Sequence, residues 1–312
     1  MRRAVIVDPE SEARLSLVEV ERPEPGPSEA LVRVAAVSLN RGEVRRAETG
    51  EPGFRPGWDL AGTVERPAAE GPGEDARVVG FLPSGAWAEL AAVPTNALAE
   101  LPDGVSFEEA ATLPVAGLTA LYALDKGGNL LGKNVLITGA SGGAGQFALQ
   151  LARMSGARVV ALVRRPEHEG LAREAGAHQV AVDESGAAAE EHGPYDLILE
   201  SVGGEVLGSV LPMLAPEGTC VSFGVSGGTE VTFDARELYL TGGATLYGFI
   251  LFHEVIARPA SAGLARLVQL LDEGRLKPGI EVEAPWTDVG EVATRLIDRG
   301  YTGKAVLHVG QR

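Results

Sequence analysis

Residues Thr138 to Gly145 read TGASGGAG, and three patterns overlap in them. Gly139, Gly142 and Gly145 spell GxxGxxG, the spacing of a dinucleotide-binding loop, while Thr138, Gly139, Gly143 and Gly145 spell TGxxxGxG, its short-chain reductase form. Gly139, Ser141 and Gly143 spell GxSxG, a hydrolase nucleophile elbow. The flanks discriminate between them. NVLIT enters the loop as a short apolar run of strand type, and GAGQFALQLARMSGA leaves it with Phe147, Leu151 and Met154 at helical spacing and Gly156 as a stop. A strand running into glycines and a helix running out of them bring bare amides, Ala144 included, to a pyrophosphate at the positive helix end. The short-chain form needs Tyr-x-x-x-Lys after the loop, and the one match, Tyr122 with Lys126, lies before it. A serine hydrolase using Ser141 is the remote alternative. It needs a downstream acid and histidine, such as Asp234 or Asp272 with His253 or His308, and nothing in the sequence ties these together.

Downstream, RVVALV is a second apolar run, and Arg164 stands 19 residues after Gly145, about where an acidic side chain binds the ribose of NAD. The position is basic here. Arg164 and Arg165 either neutralise a 2′-phosphate, which favours NADPH over NADH, or form a solvated pair at a strand end. DLILESVG, GTCVSFG and ATLYGFIL continue the series, and strands alternating with helices imply a parallel sheet with crossovers, an open α/β domain.

The region before the loop has another grammar. From Ala4 to about Val93 short alternating runs, RRAVIVD, ALVRVAAVSLN, LAGTVE and ARVVGFL, are broken by Gly and Pro and favour antiparallel β-structure, with an exposed loop at Pro67 to Gly73. ATLPVAGLTALYALDKG then reads as helix. After about Leu251 comes one long helical pattern, HEVIARPASAGLARLVQLLDEGRL, then EVEAPW, a second helix through Arg299 and a terminal strand, GKAVLHV. Those last strands lack a crossover partner and are expected to return to the first domain.

Composition narrows the function classes. The chain has 312 residues and 45% hydrophobic content, enough for two packed domains. Forty-three acidic against 27 basic residues give a net charge of -16, which repels nucleic acid and anionic membrane surfaces. One cysteine, Cys220, precludes an internal disulfide and any cysteine cluster for zinc, which fits a reducing cytoplasm. No signal peptide and no membrane-spanning run is legible, so a cytoplasmic protein is expected.

The order of motifs, PGWDLAGTVE at 56–65, LPVAGLTALYAL at 113–124, VLITGASGGAGQFALQLAR, SVGGEVLGSVLPMLAPEGTCVSFG and the terminal GYTGKAVLHV, resembles the zinc-independent medium-chain dehydrogenase/reductase family in its quinone oxidoreductase and enoyl reductase branch. The likeness spans nearly the whole chain. It implies a Rossmann doubly wound parallel sheet over residues 116–264 plus a GroES-like β-rich catalytic domain built from 1–115 and 265–312, clasping it around an active-site cleft. Zinc-dependent relatives carry Cys and Gly-His-Glu early in the chain. The matching stretch here is Gly57-Trp58-Asp59, so no metal is expected.

The resemblance assigns further residues. Asn40 and Thr119 take positions that usually flank the nicotinamide, and on their own they read equally as a turn asparagine and a helix-capping threonine. Ser201 and Val202 after one strand, Phe223-Gly224 after the next, and the run through Phe249, Ile250 and Leu251 match loops that pass the cofactor. His168 and Asp183 stand where relatives carry a lysine and a tyrosine that grip the 2′-phosphate, which leaves that task to Arg164 and Arg165. The implied chemistry is hydride transfer from NADPH to a small electrophilic acceptor, a quinone or an α,β-unsaturated carbonyl, by a homodimer joined through the edge strand in ATLYGFIL. A non-catalytic NADPH-binding redox sensor or structural protein is the alternative of another class.

Overall fold

The strand that enters TGASGGAG is Asn134–Ile137, here β1, and its last three residues are buried. It forms because Val135, Leu136 and Ile137 are a continuous apolar run, as a strand covered on both faces must be. In the computed structural model, which describes residues 2–11 and 13–310, β1 lies in a six-stranded sheet with Arg158–Val163 (β2), Gln179–Val182 (β3), Tyr195–Glu200 (β4), Leu214–Ser222 (β5) and Thr245–Gly248 (β6), in the order β3-β2-β1-β4-β5-β6. Every neighbouring pair is parallel. This is the doubly wound sheet expected. The chain steps outward from β1 to β3 and then returns to β4, so the order reverses between β1 and β4, and ligands of such sheets sit at the carboxyl ends of strands at that reversal.

Leu136, Val160, Ile198 and Cys220 pack in one core layer against Val206, Leu207 and Val210 of the helix Gly204–Val210. Burial pushes the Cys220 thiol upward, so it acts as a small apolar side chain. The short strand β3 was not among the runs read from the sequence. QVAV is only four residues long and begins on an exposed glutamine, which leaves too little apolar pattern to see.

The units are Met1–Leu118 with Val255–Arg312, and Thr119–Glu254. The first holds a hairpin of Arg2–Val7 and Leu15–Val20 and a seven-stranded sheet centred on the ten-residue strand Glu29–Ser38. Asp59–Arg66 and Leu90–Pro94 pair with that strand antiparallel, the first with register shifts at Leu31/Val32 and Val34/Ala36. Residues 67–73 lie in the connection from Asp59–Arg66 to Arg77–Phe81. The chain's last strands, Ile280–Pro285 and Lys304–His308, join this sheet, with Val306 opposite Ser38. The β-rich grammar of the N-terminal region and the return of the final strands are both present.

Two helical readings divide. ATLPVAGLTALYAL runs from the last residue of the helix Phe107–Ala111 through a π-type turn at Leu113–Gly117 to the helix Leu118–Leu124. Pro114, which lacks an N–H, sits where the hydrogen-bond ladder changes. The long pattern after Leu251 is two helices, Leu251–Ala257 and Ala260–Asp272, broken at Pro259. No helix of the described residues is long and apolar enough to cross a membrane.

Candidate functional site

Four loops meet at the carboxyl edge of the parallel sheet. After β1, Gly139 takes φ +55°, and a Cβ on it would strike the Ser201 hydroxyl. Gly142 is the N-cap of the helix Gly143–Met154, and no side chain caps that end. A Cβ on Gly145 would stand 2.5 Å from the Gly139 carbonyl oxygen and 2.8 Å from Ala140 Cα, so only glycine lets the helix close on the loop. Gln146 Nε2 donates to the Ser141 carbonyl at 2.9 Å and fixes the turn. Gly139, Ser141, Gly142, Gly143, Ala144 and Gly145 thus form a cradle lined by backbone, with the first helical amides facing outward at the positive end of the dipole.

Glu200, the last residue of β4, ties this loop to the next. Its carboxylate accepts from Val202 N at 2.7 Å, from Gly203 N at 3.0 Å and from Thr138 Oγ1 at 3.1 Å. Thr138 Oγ1 accepts from Ser201 N at 2.9 Å, and Ser201 Oγ donates back to the Thr138 carbonyl at 3.1 Å. Burial pushes the Glu200 carboxyl upward, against the pull of the backbone amides of Val202 and Gly203. Phe223 N donates to the Glu200 carbonyl and Phe249 N to the Ser222 carbonyl, and the Phe223 and Phe249 rings meet edge to face, 6.2 Å apart. Gly224 passes so close to the Ser201 carbonyl that a side chain there would collide with it. Leu251 is buried at the start of its helix, and Ile250 is 59% exposed. The loops carrying Ser201-Val202, Phe223-Gly224 and Phe249–Leu251 therefore stand together.

After β2, Arg164 is half-buried and Arg165 exposed. Arg165 reaches Glu167 at 3.5 Å, a solvated pair of little energetic weight. His168 ends the turn Pro166–His168, with Nδ1 buried and without a partner among the described residues. Asp183 is occupied locally, accepting from Ser185 Oγ at 2.7 Å. Thr119 lies inside the helix Leu118–Leu124, 7% exposed, and so does not cap it.

In the other unit Asn40 is the N-cap of the helix Arg41–Glu48. Its backbone N–H donates to Glu43 Oε1 at 2.7 Å, and its Nδ2 donates to that oxygen at 2.9 Å and to Asp59 Oδ2 at 2.7 Å. Its Oδ1 accepts from Lys304 Nζ at 2.6 Å. Lys304 also donates to the Leu39 carbonyl at 2.9 Å and stands 3.4 Å from Asp59 Oδ2. Asp59 accepts in addition from Ser38 Oγ at 2.7 Å and from Val115 N at 3.0 Å. Burial, and secondarily the nearby Asp59, hold the Glu43 carboxyl well above the usual carboxylate range. Neither Glu43, in the first turn after Asn40, nor Lys304, in the final strand, is marked in the sequence as a partner of Asn40. The only signal available was a buried-type position in GKAVLHV occupied by lysine.

Two of the four residues considered as hydrolase partners are engaged elsewhere. Asp234 caps its own helix through Arg236 N, and His308 lies between Glu108 and Glu283, so neither serves Ser141. Lys126 donates to Glu254 and Tyr247. Among the described residues no group of three or more His, Cys, Asp or Glu side chains is placed to hold a metal ion.

The family described as Zinc-binding dehydrogenase matches residues 143–268. A chloroplastic quinone-oxidoreductase, QR1, of Triphysaria versicolor is 31% identical over 95% of this chain and 94% of its own length. A quinone oxidoreductase of Pseudomonas aeruginosa is 30% identical over 91% of this chain and 92% of its own. Among solved structures, mycobacterial Rv1454c complexed with NADPH superposes with a TM-score of 0.89 at 26% identity, covering 99% of this chain and 100% of that one.

Proposed function

The chain belongs to the medium-chain dehydrogenase/reductase family, in its quinone oxidoreductase branch, and from that premise we propose that it is an NADPH-dependent oxidoreductase that passes hydride, without zinc, to a quinone or an α,β-unsaturated carbonyl. The observation that carries this reading is the cradle at TGASGGAG, where side chains are missing and an uncapped helix end supplies amides, the donor set a pyrophosphate requires. NADPH, when bound, supplies the hydride. The protein's part is to bind, orient and exclude water. The loops of Ser201-Val202, Phe223-Gly224 and Phe249–Leu251 hold the cofactor along the sheet edge. Arg164 and Arg165 take the 2′-phosphate, with His168 beside them. Asn40 and Thr119 contact the ring or the acceptor. Independence from zinc is supported by the donors themselves, since the single cysteine is buried and Asp59 is hydrogen-bonded to Lys304, Ser38, Asn40 and Val115. The NADPH complex of the mycobacterial neighbour supports the choice of cofactor.

Oxidation of NADPH, followed by absorbance with a simple p-quinone and an enone offered separately and NADH as control, tests the reading. Turnover with NADPH well above NADH is expected. Replacing Arg164 and Arg165 by alanine is expected to raise the KM for NADPH about 10- to 100-fold and leave NADH unaffected, the loss of one or two charge-assisted bonds. Binding of NADPH without turnover of either acceptor would sink the catalytic half of the proposal.

A further inference from the structure

We propose that Glu43, Asp59 and Lys304 are positioning residues that lock the amide of Asn40, so that it meets a bound ring or acceptor only through the second lone pair of Oδ1, as a hydrogen-bond acceptor. This rests on the reading of Asn40 as a residue at the reaction site. An asparagine amide has two hydrogens to give and one oxygen with two lone pairs. Both hydrogens of Asn40 are committed to carboxyl oxygens, of Glu43 at 2.9 Å and Asp59 at 2.7 Å, one lone pair faces the Lys304 ammonium at 2.6 Å, and the side chain stands over the Glu43 backbone N–H in the capping box without a cap hydrogen bond to it. The opposite orientation would set the oxygen between two carboxyl groups and the NH2 against an ammonium. Charge therefore fixes which way the amide points.

The supports are themselves fixed. Asp59 is held by Ser38 Oγ and Val115 N, and Lys304 by the Leu39 carbonyl. Glu43 is held by the Asn40 backbone N–H across the first helical turn. The Lys304 and Asp59 side chains are 3% and 0% exposed, and Glu43 is 1% exposed. One ammonium among two buried carboxyl groups leaves a negative charge in excess if both acids ionise, which burial disfavours. Burial, and secondarily the nearby Asp59, hold the Glu43 carboxyl well above the usual carboxylate range, which works against that excess. Its Oε2 has no partner among the described residues, while Oε1 accepts both Asn40 donors. The chemical consequence is specific: Asn40 takes an N–H or O–H, such as a carboxamide or hydroxyl, and does not donate to the acceptor's carbonyl oxygen.

Two measurements test this on the full chain. In protein labelled with 15N-asparagine and free of cofactor, the side-chain protons of Asn40 are expected to exchange with water far more slowly than those of exposed Asn96. Glu43→Ala is expected to abolish that protection and Glu43→Gln, which mimics a protonated acid, to restore it. Exchange at the Asn96 rate in the unaltered protein would overturn the lock, whatever the enzyme's activity. In turnover, Asn40→Ala and Glu43→Ala are each expected to lower kcat about 10- to 100-fold, the usual cost of misplacing a group by an ångström. The double variant is expected to be no slower than Asn40→Ala alone, because Glu43 acts through Asn40. Losses that add in the double variant would mean a merely structural role and would overturn the proposal. Lys304→Met is expected to behave like Glu43→Ala, and because it leaves Asp59 buried without its ion partner, the Glu43 pair decides the matter if that variant does not fold. If the unaltered protein reduces neither acceptor, the reading of its function fails, and slow exchange at Asn40 still supports the lock while fast exchange overturns it.

Discussion

Gly139 carries two demands at once. Its φ of +55° lies in the left-handed region, and a Cβ at that position would press on the Ser201 hydroxyl from the neighbouring strand end. Gly139→Ala is expected to cost about 1–2 kcal/mol for the backbone conformation alone, measured by denaturant unfolding. NADPH titration by fluorescence should show a further loss, because relief of the contact separates the Thr138 and Ser201 loops. An alanine variant that binds as tightly as the parent would show that the cradle tolerates a side chain. The glycine was legible in sequence because its constraint is local, a turn entered by a strand and left by a helix. The setting of Asn40 was not. Its partners Asp59 and Lys304 lie 19 and 264 residues away, and no local pattern records which strand ends will meet.

At the level of elements, what the sequence showed best was alternation. RVVALV, DLILE and GTCVS are apolar enough to be recognised as strands buried on both faces, and each is one. What it showed least was where a helical pattern breaks, since Pro114 and Pro259 interrupt runs whose apolar spacing continues across them. Glu200 shows why loop order at the sheet edge also escaped the sequence. The residue ends a strand, and its carboxylate satisfies the backbone N–H of Val202 and Gly203 and the Thr138 hydroxyl within a buried site. Glu200→Ala leaves those donors unpaired, at about 1–3 kcal/mol for each buried group. Hydrogen exchange is the direct check. The amides of Val202 and Gly203 are expected to lose protection while those inside β1 keep theirs. Unchanged protection at both amides would mean that the backbone of the loop holds itself.

The whole molecule poses a problem of its edge and its charge. β6 pairs with β5 on one side, and among the described residues no strand covers its other side. Leu246 on it is 46% exposed, Ile250 just beyond it 59%, and Tyr239 and Leu240 of the helix Ala235–Thr241 are 68% and 61% exposed. An apolar edge with unpaired backbone invites a second strand, and we propose that a second copy of the chain supplies it by two-fold symmetry. Each copy also brings a net charge of -16, so the same association works against long-range repulsion. The proposed homodimer is therefore expected to tighten as salt rises, because screening removes the repulsion and leaves the apolar contact. Sedimentation at several salt concentrations checks the sign. Leu246→Lys, which adds a buried charge at the edge, is expected to give monomers at every salt concentration, whereas Leu131→Lys, at a residue 75% exposed on the segment leading into β1, leaves the dimer intact. A parent protein that sediments as a monomer throughout would remove the edge strand as an interface, and a dimer that weakens with salt would place its contacts on charged groups elsewhere.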